Sequence, residues 1–167
     1  MVLAALRAHR NNEAVLISGV ALLACLAHGD DSTKEVIVAH DGIKAIVTAM
    51  KENAGAFRVT VGACAAISTI AAATDGGSSQ AKRAVFESGA MTQVLHALQV
   101  FSQPKVHAEC AGAVANVVAG ETGMATPFTA TGFLLWCCVD VYRQQVSRKL
   151  CVILLPCFSR HSVGNCR

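Results

Sequence analysis

Charge is scarce in this chain: Asp, Glu, Lys and Arg make up 15% of its 167 residues, against roughly a quarter in ordinary soluble domains. With 53% of residues apolar, this composition excludes a chain disordered by its make-up and requires much of the surface to be hidden. The net charge of +3 is too small and too dispersed to point to nucleic acid. An uninterrupted apolar stretch is missing from the N-terminus, where "RAHRNNE" follows at once, so the segment does not read as a secretory signal. The eight cysteines therefore imply no disulfide framework, and a cytoplasmic setting is expected, or a nuclear one. Cys25, Cys64 and Cys110 fall within helical patterns, where small buried thiols are expected. Sustained period-two alternation between hairpin turns is also absent, so no strands are expected.

The chemistry of catalysis and metal binding is equally thin. None of the six histidines has a partner at the helical spacing a metal pair needs. His40-Asp41 has no accompanying nucleophile motif and reads as turn chemistry between helices. "TDGGSS" (74–79) lacks the Lys-Ser/Thr ending of a phosphate loop and reads as an enlarged linker. Cys151, Cys157, His161 and Cys166 lack the close-spaced pairs of structural zinc. No enzyme activity, cofactor or metal is expected. "FLLWCCVDVY" is interrupted by Asp140, and "LCVILLPCF" is shorter still. Neither approaches the roughly twenty apolar residues of a membrane-spanning helix.

What the chain does have is a repeat. "GIKAIVTAMKEN" (42–53) overlays "AMTQVLHALQVF" (90–101), and "MVLAALRAHRNN" matches both, so Val2, Ile46 and Val94 correspond at steps of 44 and 48. "TKEVIVAHDG" (33–42) overlays "AKRAVFESGA" (81–90) at the same offset of 48. Three longer segments, "VLISGVALLACLAHGDD", "VTVGACAAISTIAAATDGG" and "HAECAGAVANVVAGETG", place Cys25, Thr69 and Asn116 in register at steps of 44 and 47.

Each unit thus holds a short helix, a second amphipathic helix and a longer Ala-rich helix. Ser32 to Glu35 has capping-box spacing, and Pro104 falls where the first turn of the last long helix should begin. Gly29, Gly76 and Gly120 lie just past the long helices, where a left-handed C-cap is wanted. Asp41 and Gly89 share a position between helices that suits a positive φ. Gly62, Ala65, Ala66, Gly112 and Ala113 would let helices approach closely, with Leu22, Leu23, Leu26, Ile67 and Ile70 filling the core. One unit cannot bury its apolar face alone, so units must stack.

"TKEVIVAHDGIKAIVTAMKEN" and "AKRAVFESGAMTQVLHAL" resemble the first and second helices of the armadillo repeat family, and "GAVANVVAG" resembles its third helix. The resemblance covers nearly all of residues 1–120. It implies an all-α, right-handed α-solenoid of armadillo-type three-helix repeats, and a non-catalytic scaffold that holds a protein or extended peptide segment in a groove lined by the third helices. In the family an Asn ladder grips the ligand backbone, since side-chain amides both donate and accept. Only Asn116 matches that ladder; Thr69 and Cys25 occupy the equivalent positions. On the same helical face lie Glu109 and Lys105, then Gly62 and Arg58, then Ser18 and Ala14. The competing reading of Arg58, Lys105 and Glu109 is a solvated helix face. Ala21, Ala65 and Gly112 stand where importin-α-like members carry a groove Trp, which argues against Lys-rich localisation signals as ligands.

Beyond residue 120 the composition changes. Residues 1–120 carry nine basic and nine acidic residues; the last 47 carry five and two, with five of the eight cysteines and five of the eight aromatics. Residues 121–167 are expected to be a non-repeat Cys- and aromatic-rich tail, poorly ordered or a gene-model artefact. The repeat domain is expected to be a fragment truncated at the N-terminus, Met1 falling inside a second helix, and prone to self-association through its uncapped ends. The alternative is a membrane-attached armadillo adaptor, tethered through the tail by acylation at Cys137 or Cys138 beside Arg143, Arg148 and Lys149.

Overall fold

Helix lengths alone carry a period of three. The computed structural model describes residues 1–72 and 79–118. In them the chain is all-α, with eight helices: α1 (Val2–Ala8), α2 (Glu13–Ala27), α3 (Asp31–Ala39), α4 (Gly42–Glu52), α5 (Phe57–Ala71), α6 (Ser79–Glu87), α7 (Ala90–Val100) and α8 (Pro104–Val118). From α3 onward the lengths run 9, 11 and 15 residues, twice over. Residues 1–117 form one compact unit. Gly76, Gly120 and the tail cysteines, His161 and Trp136 lie outside the described residues, as do most of "TDGGSS" and the whole of 121–167.

Local chemistry sets the helix starts. Asn12 caps α2, its side chain accepting from the Val15 N–H at 3.2 Å. Asp30 caps α3, accepting from Thr33 N–H at 2.6 Å and from the Ser32 hydroxyl at 2.8 Å. The expected cap at Ser32 is thereby corrected: a carboxylate two residues upstream is the stronger acceptor and draws Ser32 into the helix. These hydrogen bonds, the Thr33 N–H foremost, hold the Asp30 carboxyl below its ordinary range. Pro104 opens α8, as expected for a residue with no N–H to lose in the first turn.

Asp41 and Gly89 adopt the left-handed conformation foreseen for them, with φ of 59° and 77°. That conformation lets two residues turn α3 into α4 and α6 into α7. Asp41 also pairs with Lys44 at 2.8 Å, and the hydrogen bond from that ammonium lowers the pKa of its carboxyl. His40 closes α3, its ring Nδ1 2.9 Å from the Val36 carbonyl, and its own carbonyl accepts from Arg7 at 2.8 Å. His40-Asp41 is therefore a turn. Gly29 is not a left-handed C-cap, because Gly89 is the one glycine with positive φ among the described residues. His28 stays helical instead, its N–H bonding the Ala24 and Cys25 carbonyls.

Packing follows the same period. α1 packs on α4, α2 on α5, α3 on α6 and α4 on α7, each helix meeting the one three places on. Cys64 against Cys110 and Asn116 against Ser68 extend the rule to α5 and α8. The core lies between the row α1, α4, α7 and the row α2, α5, α8, and includes Leu16, Val20, Leu23, Ile46, Ile67, Ile70 and Val94, all essentially solvent-free. At Gly62 an added Cβ would lie 2.7 Å from Val20 Cγ2, and at Gly112 3.2 Å from Ser68 Oγ. These two glycines set how closely α5 approaches its neighbours.

Leu22 and Leu26 do not join the core; they are 45% and 44% exposed. α2 is apolar nearly all round, so its periodicity does not fix which leucines face inward, and packing against α5, α1 and α3 selects Leu16, Val20, Leu23 and Ala27.

A buried lysine joins successive groups. Lys34 is 2% exposed, and its ammonium donates to Asp31 Oδ1 at 2.8 Å and to the Ala72 carbonyl at 2.6 Å, tying the start of α3 to the end of α5. Lys82, its repeat equivalent in α6, is also buried. Nothing in the sequence reading marked these lysines, although the offset of 48 sets one upon the other.

Candidate functional site

The three 15-residue helices follow one another, α2 packed on α5 and α5 joined to α8 through Cys64–Cys110 and Ser68–Asn116, and each keeps one flank accessible. On α2 the open flank carries Ala14, Ser18, Ala21 and Cys25, all exposed. On α5 it carries Arg58, exposed, and Gly62, Ala65 and Thr69, half-buried. On α8 it carries Lys105, exposed, and Glu109, Gly112 and Asn116, half-buried. Every residue singled out from the sequence therefore stands on an accessible stripe at equivalent positions of its helix. The stripes have a common cause. Residues three to four apart share a helix face, and the opposite faces are taken by Val59, Ala63 and Ile67 on α5 and by Val106, Cys110 and Val117 on α8.

Cys25 corrects one expectation. It is exposed, whereas Cys64 and Cys110 are buried. The α2 phase that puts Leu23 and Ala27 inward turns Cys25 out, with Leu22 and Leu26.

Asn116 is engaged within the protein. Its Nδ2 donates to the Ser68 carbonyl at 2.9 Å and lies 3.0 Å from the Ser68 hydroxyl, bridging α8 to α5. The same Ser68 carbonyl accepts the helical N–H of Ala72 at 3.0 Å. The Asn116 amide therefore spends its donor side on a neighbouring helix, and its Oδ1 is the end suited to a ligand. Thr69 behaves alike: its hydroxyl donates to the Ala65 carbonyl one turn back, at 2.9 Å, which leaves its oxygen the role of acceptor. The two positions offer acceptors, which suit the N–H groups of an extended chain. A ladder that both donates and accepts is not what this geometry provides.

Arg58 and Lys105 stand at the second residue of α5 and α8, one repeat apart. Neither forms an ion pair among the described residues. Sequence reasoning missed Ser68, the partner that decides the role of Asn116. Its signal was its place beside Thr69, on the flank α5 turns toward α8.

Among the described residues no cluster of three or more His, Cys, Asp or Glu side chains could hold a metal ion, and no helix is long and apolar enough to cross a membrane. His107 is buried with Nε2 2.7 Å from the Phe101 carbonyl, which fixes the entry to α8. No family model, curated protein or solved structure matches this chain.

Proposed function

We propose that residues 1–120 form a right-handed α-solenoid of armadillo-type repeats, and that the chain is a non-catalytic scaffold holding an extended protein segment across α2, α5 and α8. One observation carries the reading: the open flanks of these three helices repeat at equivalent positions, with Cys25, Thr69 and Asn116 in one row and Arg58 and Lys105 in another. Packing of each helix on the one three places later supports the solenoid. Small residues along the flanks let a backbone approach, and the oxygens of Thr69 and Asn116, whose donor sides are spent within the protein, can accept from its N–H groups. Arg58 and Lys105 would set charge preference and salt dependence rather than bulk affinity.

Selecting ligands from a library of displayed linear peptides against the full chain tests the proposal. Ala65→Arg, which fills the middle of the α5 flank, should weaken selected peptides at least about tenfold, or roughly 1.4 kcal/mol. Val36→Arg, on the exposed side of α3, should leave them unaffected. Lys105→Glu should reduce the salt dependence of binding. Selected peptides indifferent to Ala65→Arg and sensitive to Val36→Arg would move the binding surface away from these helices.

A further inference from the structure

Cys64 on α5 and Cys110 on α8 have no solvent exposure, and their sulfurs face each other at 2.9 Å as one thiol hydrogen-bonded to the other. They are not repeat equivalents; the steps of 44 and 47 place Val20 and Ala63 at the corresponding positions. The pair meets because α5 and α8 approach closely nearby, where Gly112 leaves room for Ser68 and Asn116 bridges the same two helices. The sulfurs need to close by only about 0.9 Å to reach a disulfide length, a change within the compass of side-chain rotation. The third cysteine among the described residues, Cys25, is exposed and on another helix.

We propose that Cys64 and Cys110 are an oxidisable dithiol, converted by a hydroperoxide to a disulfide that links α5 to α8. One thiolate attacks the peroxide oxygen, the O–O bond breaks, and the products are a sulfenic acid and hydroxide, which takes up a proton to become water. The second thiol then displaces the sulfenic hydroxyl, forming the S–S bond and releasing another water. In sum, two thiols and one hydrogen peroxide give one disulfide and two waters; the sulfurs lose two electrons and the peroxide gains them. Burial selects the oxidant: a molecule near the size of water can reach the pair, whereas a bulky disulfide or alkylating reagent must wait for local opening. It also selects the product, because the facing thiol intercepts the sulfenic acid before a second peroxide can. The bond would close a loop spanning 46 positions of sequence, restricting the unfolded chain and stabilising the repeats.

The test uses the fully reduced, full-length protein. It is treated with hydrogen peroxide, its remaining thiols are blocked with N-ethylmaleimide after unfolding, and it is digested with trypsin and a glutamate-specific protease. Peptides 59–82 and 110–121, each with one of the two cysteines, should appear joined and lighter by two hydrogens than their sum. The denaturation midpoint should rise on oxidation and return with dithiothreitol. Cys25→Ala should change neither result, and Cys64→Ala should abolish both. Sulfinic or sulfonic acid on either cysteine, bonding of either to a tail cysteine, or both thiols still free after Cys25 has oxidised would each overturn the proposal. The wild-type peptide map decides among these outcomes even where a variant fails to fold.

Discussion

Replacing Lys34 with Met tests how successive helix groups are held together. Methionine keeps most of the aliphatic stem and removes the ammonium, so packing changes little while two hydrogen bonds are lost. The Ala72 carbonyl, 2.6 Å from Nζ, then lacks its charged donor at the end of α5. Asp31, whose side chain is 27% exposed, loses the 2.8 Å hydrogen bond from Lys34, a loss softened by its access to water. A hydrogen bond from a charged group contributes about 1.5–3 kcal/mol, and breaking a fully buried pair costs about 3–5 kcal/mol. The exposure of Asp31 places the expectation near the lower range, about 2 kcal/mol, or roughly 8 °C in melting temperature. Urea unfolding followed by helical circular dichroism measures the first quantity. Hydrogen exchange measures the local one: the amides of Ala71 and Ala72, in the last turn of α5, should exchange faster than those at its centre. Combining Lys34→Met with Asp31→Asn should show a coupling of about 1 kcal/mol. A loss below about 0.5 kcal/mol with unchanged exchange at the end of α5 would refute the idea that this lysine joins the groups.

The remaining expectations are shorter. Gly62→Ala should destabilise by about 1 kcal/mol, the overpacking against rigid Val20 exceeding the gain in helix propensity; Gly55→Ala, with open space around it, should not destabilise, and Val20→Ala should relieve the clash in the Gly62→Ala background. Leu23→Ala should cost about 2–5 kcal/mol as a core truncation, and Leu22→Ala well under half of that, since Leu23 is buried and Leu22 is not; equal losses in thermal unfolding would put the phase of α2 in error. The lowered pKa of Asp30 gives a pH dependence with a definite sign: its contribution to the start of α3 is full above the ordinary value of 3.8 and is lost as pH falls through the lower folded value. The Thr33 amide proton, followed by NMR, should therefore titrate with a midpoint below that of an unstructured Asp peptide, and a midpoint at or above it would remove Asp30 as the cap.

The sequence by itself determined that the chain is helical among its described residues and where several helices turn. Repeat offsets align Val2, Ile46 and Val94; local sterics place Asp41 and Gly89 in the left-handed region and Pro104 at the head of α8. These are short-range matters, settled by the few residues around each turn. The accessible stripe was also legible, because equivalent positions on equivalent helices face the same way. Tertiary structure decided what depends on neighbours distant in sequence. α2 is apolar on nearly every side, so only its packing among α1, α3 and α5 decides that Leu23 is buried and Leu22, Leu26 and Cys25 are exposed. Asn116 looked like a free amide until α8 came against α5 and its donor found Ser68, 48 residues away. Lys34 and Ala72 are 38 residues apart, and Cys64 and Cys110 are 46. Such pairings have no local signature: the cysteine and Asn116–Ser68 contacts arise where α5 and α8, three places apart, pack closely around Gly112, and Lys34 reaches from α3 to the end of α5, two places on.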